Sequence, residues 1–200
     1  MTWITTLDDL EPLFGPPPEA AILKVTRRLT PAYQRWIEAS RFCILSTVGP
    51  EGTDGTPRGD DGPVVQVADP GTILMPDWHG NNRADSLRNI VRDGRVSLAF
   101  LVPGSNSVMR VNGNARLSVD PALCGRFTQA GKHPHLVIVI AVAEVYVQCA
   151  RALLRSGIWS RNDSAGLPST GEMMTEITEG GIDGAAYDRE WPGRAAKTLW

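Results

Sequence analysis

Between Phe42 and Cys149 the chain runs through strand signal after strand signal, with one inserted helix and one short one. "FCILSTV" from Phe42, "PVVQVA" from Pro63, "TILM" from Thr72, "RVSLAFLV" from Arg95 and "SVMRVNGNARLSV" from Ser107 are rich in β-branched and apolar residues, which suit a pleated, half-buried surface. The segments "GPEGTDGTPRGDDG" and "PGSN" read as turns. "DPALCGRFTQAG" breaks the series with an Asp120 cap before Pro121, and "LVIVIAVAEVYVQC" returns to a long strand. Parallel strands need a crossover of roughly a dozen residues, so short connections predict an antiparallel sheet closed into a barrel or folded as a sandwich. In "LVIVIAVAEVYV" apolar residues fill consecutive positions, which predicts cover on both faces, one by the barrel core and the other by a helix or a second subunit.

Helices flank this region. Thr30 before Pro31 places an N-cap ahead of proline at the first helical position. Tyr33, Trp36 and Ile37 then form an apolar stripe that ends near Ser40. Pro16 to Pro18 form a stiff connector, and "ARALLRS" reads as a short helix. From Asn162 onward apolar content falls and glycines supply turns. The expected organisation is a single domain over residues 1–160 with N-terminal helices, and a loop-rich tail over 161–200. Trp191 and Trp200 should dock that tail partly, on the same domain or on a partner.

A chain of 200 residues can bury a sizeable core. Its 20 Lys and Arg against 22 Asp and Glu leave a net charge of -2, which argues against a general nucleic-acid or membrane-surface binder. Cys43, Cys124 and Cys149 lack metal-ligand spacing and read as buried, reduced thiols of a soluble cytoplasmic protein. No apolar run reaches the roughly 20 residues that span a bilayer. His133 and His135 in "KHPH" lack a third ligand nearby and read as an exposed turn, so no metal is expected.

Three short segments carry the candidate chemistry. In "PDWHGNNRADSLRNI", Ala84, Leu87, Ile90 and Val91 make a core-facing stripe, and Asn82 with Asp85 has the spacing of a capping box. A helix starting there offers unpaired N–H groups beside Arg83 and Arg88, which suits a phosphate. "TPRGD" sets Arg58 beside a glycine, where backbone can approach a ligand. "VMRVNGNARL" puts Arg110 and Asn112 on one face of a strand, next to Gly113. Each segment also has an ordinary reading, respectively a capped helix, a solvated hairpin tip and the wet face of a strand.

The order "PRGD", "GNNR…LRNI", an apolar strand beginning "RV", then "RVNGNA" resembles the pyridoxamine 5′-phosphate oxidase-like family of FMN-binding split barrels, over about residues 40–160. It looks most like the oxidase-related subgroup. The resemblance implies an antiparallel split β-barrel of α+β class with flanking helices, and a homodimer with two flavins at the interface. It further implies that Arg58, Gly59 and Asp60 lie along the flavin, that Asn82, Arg83, Ser86, Leu87 and Arg88 form the phosphate-grasping turn, and that Arg110 is similar to the partner-chain contribution, with Asn112 also cofactor-binding. The family's vitamin-forming oxidases hold their substrate with an arginine and a histidine near the C-terminus. Here "DREWPGRAAKTLW" has Arg189 and Arg194 but no histidine beyond His135, so pyridoxal phosphate synthesis is not expected.

Two functions stay open at this level. One is an FMN-dependent oxidoreductase acting on a small molecule. The other is a non-catalytic protein that stores or senses flavin, deazaflavin or haem, for which His79 is the only histidine near the site. A flavin carries its own redox chemistry, which fits the absence of a nucleophile–base set.

Overall fold

The computed structural model describes residues Met1–Trp200. Its strands are β1 (Phe42–Gly49), β2 (Gly52–Gly59), β3 (Gln66–Asp69), β4 (Thr72–Asp77), β5 (Arg95–Leu101), β6 (Val108–Ser118) and β7 (Leu136–Gln148). They form one antiparallel seven-stranded sheet in the order β2-β1-β5-β6-β7-β4-β3. The sheet curls without closing: a split barrel of α+β class, as expected. Leu45, Leu98, Phe100, Val111, Ile138 and Ile140 are fully buried inside it, with Ile37 added from a helix. Truncating one such side chain to alanine costs about 2–5 kcal/mol.

β2 departs from the sequence reading, which took "GTDGTPRG" as a turn. It pairs along its whole length with β1, from Gly49↔Gly52 to Phe42↔Gly59. Glycine and proline are tolerated because β2 is an edge strand with one neighbour. The strand expected from Pro63 is shorter: Val64 and Val65 are buried outside it, and the Val64 N–H donates to the Ser40 carbonyl at 2.9 Å. β7 is covered on both faces only in its first half. A register shift falls between Asn112 and Gly113, Gly113 pairs with Val142, and a Cβ on Gly113 would run into the neighbouring Ala141 carbonyl.

The helices are α1 (Leu7–Leu10), followed by a 3-10 turn at Glu11–Leu13, α2 (Glu19–Leu23), α3 (Pro31–Glu38), α4 (Asp85–Arg92), α5 (Pro121–Cys124), α6 (Arg151–Ser156), α7 (Thr170–Ile177) and α8 (Gly184–Thr198). Thr30 caps α3 by accepting from the Tyr33 N–H at 3.2 Å, with Pro31 in the first turn. The tail expected to be loop-rich instead holds α7 and α8, packed so closely that a Cβ on Gly171 or Gly184 would overlap the other's carbonyl. Ser169 and Glu172 form a capping box on α7, and Asp183 caps α8. These glycines serve helix contact rather than turns. Cys43 and Cys124 are buried, but Cys149, expected to be buried, is exposed past the end of β7. No helix is long and apolar enough to cross a membrane.

Candidate cofactor site at the open seam

β2 and β4 lie near opposite ends of the sheet order, and the curl brings their C-terminal ends together. Arg58 of β2 pairs with Asp77 of β4, and its other terminal nitrogen donates to the Ser86 hydroxyl of α4 at 2.8 Å. Two residues on, the Asp60 carboxylate accepts from the Trp78 indole at 2.7 Å and the Gln129 amide at 2.6 Å. Between these links lies a cavity of about 720 Å³, within the usual range of roughly 300–1,000 Å³ for small-molecule sites.

Of the residues read from sequence, Arg58, Gly59, Asp60, Asn82, Arg83, Ser86 and Leu87 line this cavity. Arg88, Arg110 and Asn112 do not. Arg88 lines a separate groove that shares Leu87 with the cavity. Arg110 lies over the Tyr146 ring at 5.6 Å and donates to the Ser97 hydroxyl at 3.3 Å, while Asn112 donates to Glu144 at 2.5 Å. Both stand on β6. The cavity wall also takes Asp54, Asp77, Trp78, His79, His135 and Leu199. Asp54 could have been found from sequence, because Asp54, Thr56 and Arg58 alternate as the inward positions of β2. Asp77, His135 and Leu199 arrive from distant sequence and carry no local signal.

The helix start differs from the expected one. α4 begins at Asp85, its cap position is Ala84, and no side chain caps it. Asn82 and Asp85 make no capping box. Instead, the Asn81 side chain accepts from the Arg83 N–H at 3.1 Å. The backbone then takes left-handed φ values of 60° at Asn82 and 56° at Ala84. Such strain is unusual for alanine and concentrates at functional sites. The first N–H groups of an uncapped helix have no intrahelical partner. Ser86 and Ile90 are buried as the helix packs on the sheet, but Val91, expected to face the core, is 75% exposed.

The electrostatics are mixed. Asp77 and Asp85 are matched by Arg58 and Arg83, whereas Asp54 and Asp60 have no cationic partner. The Arg58 Nε is buried and has no hydrogen-bond partner. Behind it, burial pushes the Cys43 thiol up to about 12, with Arg58 pulling slightly the other way. At the cavity mouth Leu199 forms part of the wall, and Trp200 meets Trp78 edge-on at 5.4 Å, its carbonyl held by Lys132 at 2.7 Å. The tail therefore docks through its last residues, while Trp191 stacks on Tyr187 and stays half exposed.

A family model described as pyridoxamine 5′-phosphate oxidase matches residues 29–149. Among solved structures, HupZ of Group A Streptococcus is 17% identical with a TM-score of 0.50, over 60% of this chain and 94% of that one. A Lactobacillus delbrueckii protein described as a candidate pyridoxamine 5′-phosphate oxidase is 22% identical with a TM-score of 0.48, over 60% and 95%. General Stress Protein 26 of Bacillus anthracis is 16% identical with a TM-score of 0.45, over 57% and 89%. No curated protein matches the chain.

Proposed function

Because the chain belongs to the pyridoxamine 5′-phosphate oxidase family, we propose that its seam cavity holds FMN, and that the protein is an oxidase-related FMN-dependent oxidoreductase working as a homodimer on a small molecule. The observation that carries the reading is the uncapped start of α4 meeting Arg58 and Arg83 in one cavity. A helix N-terminus and guanidinium groups suit a phosphate, and the unpartnered Arg58 Nε offers a further donor.

Arg83 is the group best placed to receive the phosphate. Its pair with Asp85 is exposed, with side chains 75% and 47% accessible, so little is lost by exchanging partners. Arg58 is fixed by Asp77 and Ser86 and orients the wall. Asn82, held left-handed, keeps the turn open. The flavin would supply the two-electron chemistry. Trp78 and Leu199 would limit water beside it.

The cavity of one chain has carboxylates at Asp54, Asp60, Asp77 and Asp85 against guanidiniums at Arg58 and Arg83, a poor balance for a phosphate carrying close to two negative charges. That imbalance supports a site shared between two chains. Arg110 and Asn112 on β6 are the residues proposed to serve the partner's flavin. Haem is the second reading, favoured by His79 and His135, which both line the cavity.

A visible spectrum of the purified protein, with chromatography of the released chromophore, separates flavin, deazaflavin and haem. FMN titrated into the apo Arg83→Ala variant should bind about tenfold or more weaker, since a charge-assisted hydrogen bond is worth about 1.5–3 kcal/mol. Wild-type affinity in that variant overturns the phosphate assignment. Anaerobic reduction by NADH or NADPH followed by reoxidation separates an enzyme from a carrier.

A further inference from the structure

The first 23 residues hold no lysine or arginine, and they hold four acids, Asp8, Asp9, Glu11 and Glu19. The rest of the chain carries every cationic side chain and a net positive charge. None of these 23 residues is buried, although Trp3, Leu7, Leu13 and Phe14 are 74%, 69%, 64% and 70% exposed. Leaving that much apolar surface in water forfeits roughly 25 cal/mol per Å², and clustered exposed apolar side chains mark interaction surfaces.

A matching surface adjoins the cavity, sharing Leu87 of α4 with it. Leu87, Val91, Leu117 and Leu136 floor a groove of about 280 Å³, and Arg88 and Arg92 line it. Val119, 75% exposed, continues the apolar surface two residues past Leu117. Arg88 has no carboxylate within ion-pair distance, and Arg92 meets only the exposed Glu51, at 3.3 Å. In "LDDLEPLF" the acids Asp8, Asp9 and Glu11 are interleaved with Leu7, Leu10 and Leu13. Apolar teeth between acids would meet an apolar floor lined by arginines.

We propose that this N-terminal arm docks on a second copy of the chain, seating Leu7, Leu10 and Leu13 in the groove between α4 and strands β6 and β7. The inference rests on the homodimer reading and adds an exchanged arm to it. The arm leaves the body where Thr26 pairs with Val145 on β7, with backbone hydrogen bonds of 3.0 and 2.8 Å. The groove lies at the other end of that strand, at Leu136, about 30 Å away at ~3.4 Å per residue. In this chain the arm stands off its own groove, with Leu7 and Leu13 exposed, so a neighbouring chain's groove is the target.

The test uses the full chain with Cys149→Ser, which leaves only buried thiols. Two differently tagged chains, one with Leu10→Cys and the other with Val91→Cys, are co-expressed and treated with a short bismaleimide. The expected product is a covalent heterodimer joining the two tags. Sedimentation of the Val91→Asp variant should show the dimer dissociation constant raised at least tenfold, with circular dichroism unchanged. If the untreated protein sediments as a dimer but no inter-tag product forms, the arm assignment is overturned and the homodimer survives. Cross-linking within one chain that carries both cysteines, without an inter-tag product, overturns it in favour of self-docking. A monomer at tens of micromolar overturns the homodimer and the exchanged arm together.

Discussion

Arg58 and Asp77 hold the two ends of one open sheet together by a single ion pair, with side chains only 17% and 20% exposed. Their strands are not neighbours in the sheet, so no backbone ladder links them. The closure of the barrel at this seam is a side-chain interaction. The same guanidinium lines the candidate cofactor cavity.

Arg58→Ala should destabilise the protein by about 2–3 kcal/mol, below the roughly 3–5 kcal/mol of a fully buried pair because both side chains keep some water. Adding Asp77→Asn should restore part of the loss by removing the orphaned charge. Urea denaturation of the single and double variants measures both.

Gly113→Ala should cost about 1–3 kcal/mol, since the added methyl would meet the Ala141 carbonyl at the bulge between β6 and β7. The same substitution at Gly131, which has open space around it but a φ of 75°, should lose only the conformational cost of about 1 kcal/mol. Thermal unfolding of the two variants ranks them.

Ala84→Gly should stabilise the free protein by up to about 1 kcal/mol, because glycine holds φ 56° without the Cβ clash that alanine carries. Ala84→Val should do the reverse. Calorimetry of the ligand-free chains shows the sign of each change.

The sheet was legible wherever strands are built from β-branched residues, and the start of α3 was legible from Thr30 and Pro31. β2 was not, because Gly52, Gly55, Pro57 and Gly59 look like a turn until β1 supplies the ladder. Asn82 and Asp85 had capping-box spacing, but the Asn81 side chain claimed the Arg83 N–H and moved the helix start to Asp85. The tail offered a true signal in Ser169 and Glu172. It was outweighed by glycines whose role is helix contact, and by Pro192 inside α8. The motifs picked out Arg58, Asn82 and Arg83, which the structure brings to the wall of one cavity, whereas Asp77, Trp78 and His135 reach that wall only through the curl of the sheet.

The three thiols should separate cleanly by reactivity. Cys149 is exposed, and its thiol is held below the usual range, chiefly by the Arg151 backbone N–H. A chromogenic disulfide reagent at neutral pH should therefore modify Cys149 in the native protein, and Cys43 and Cys124 only on unfolding. Cys43, pushed up to about 12 by burial, stays protonated longer when folded than when unfolded. Its contribution to stability is complete below the ordinary thiol value and is lost as pH rises towards 12. A Cys43→Ala variant should show a shallower alkaline decline.

Removing Leu199 and Trp200 should open the cavity mouth without unfolding the sheet. The Trp78 indole would lose its edge-on neighbour but keep Asp60, so its fluorescence should shift to the red while circular dichroism is unchanged. On the proposed FMN reading, the flavin should also be held more loosely and, once reduced, react faster with oxygen. Unchanged affinity and reoxidation would leave the two residues a purely structural role.

The pairing of β4 with β7, from Asp77↔Leu136 to Thr72↔Ala141, also sets a schedule. β4 has no other long partner, only the short β3 beside it. During synthesis, Asp77 and Trp78 wait for a strand made some sixty residues later, and such distant closures are slow. β1 and β2 can already be a hairpin while the opposite wall of the cavity is still loose chain. The cavity therefore does not exist during the early steps of folding: only a nearly finished barrel has both of its walls, and any molecule that fills it arrives last.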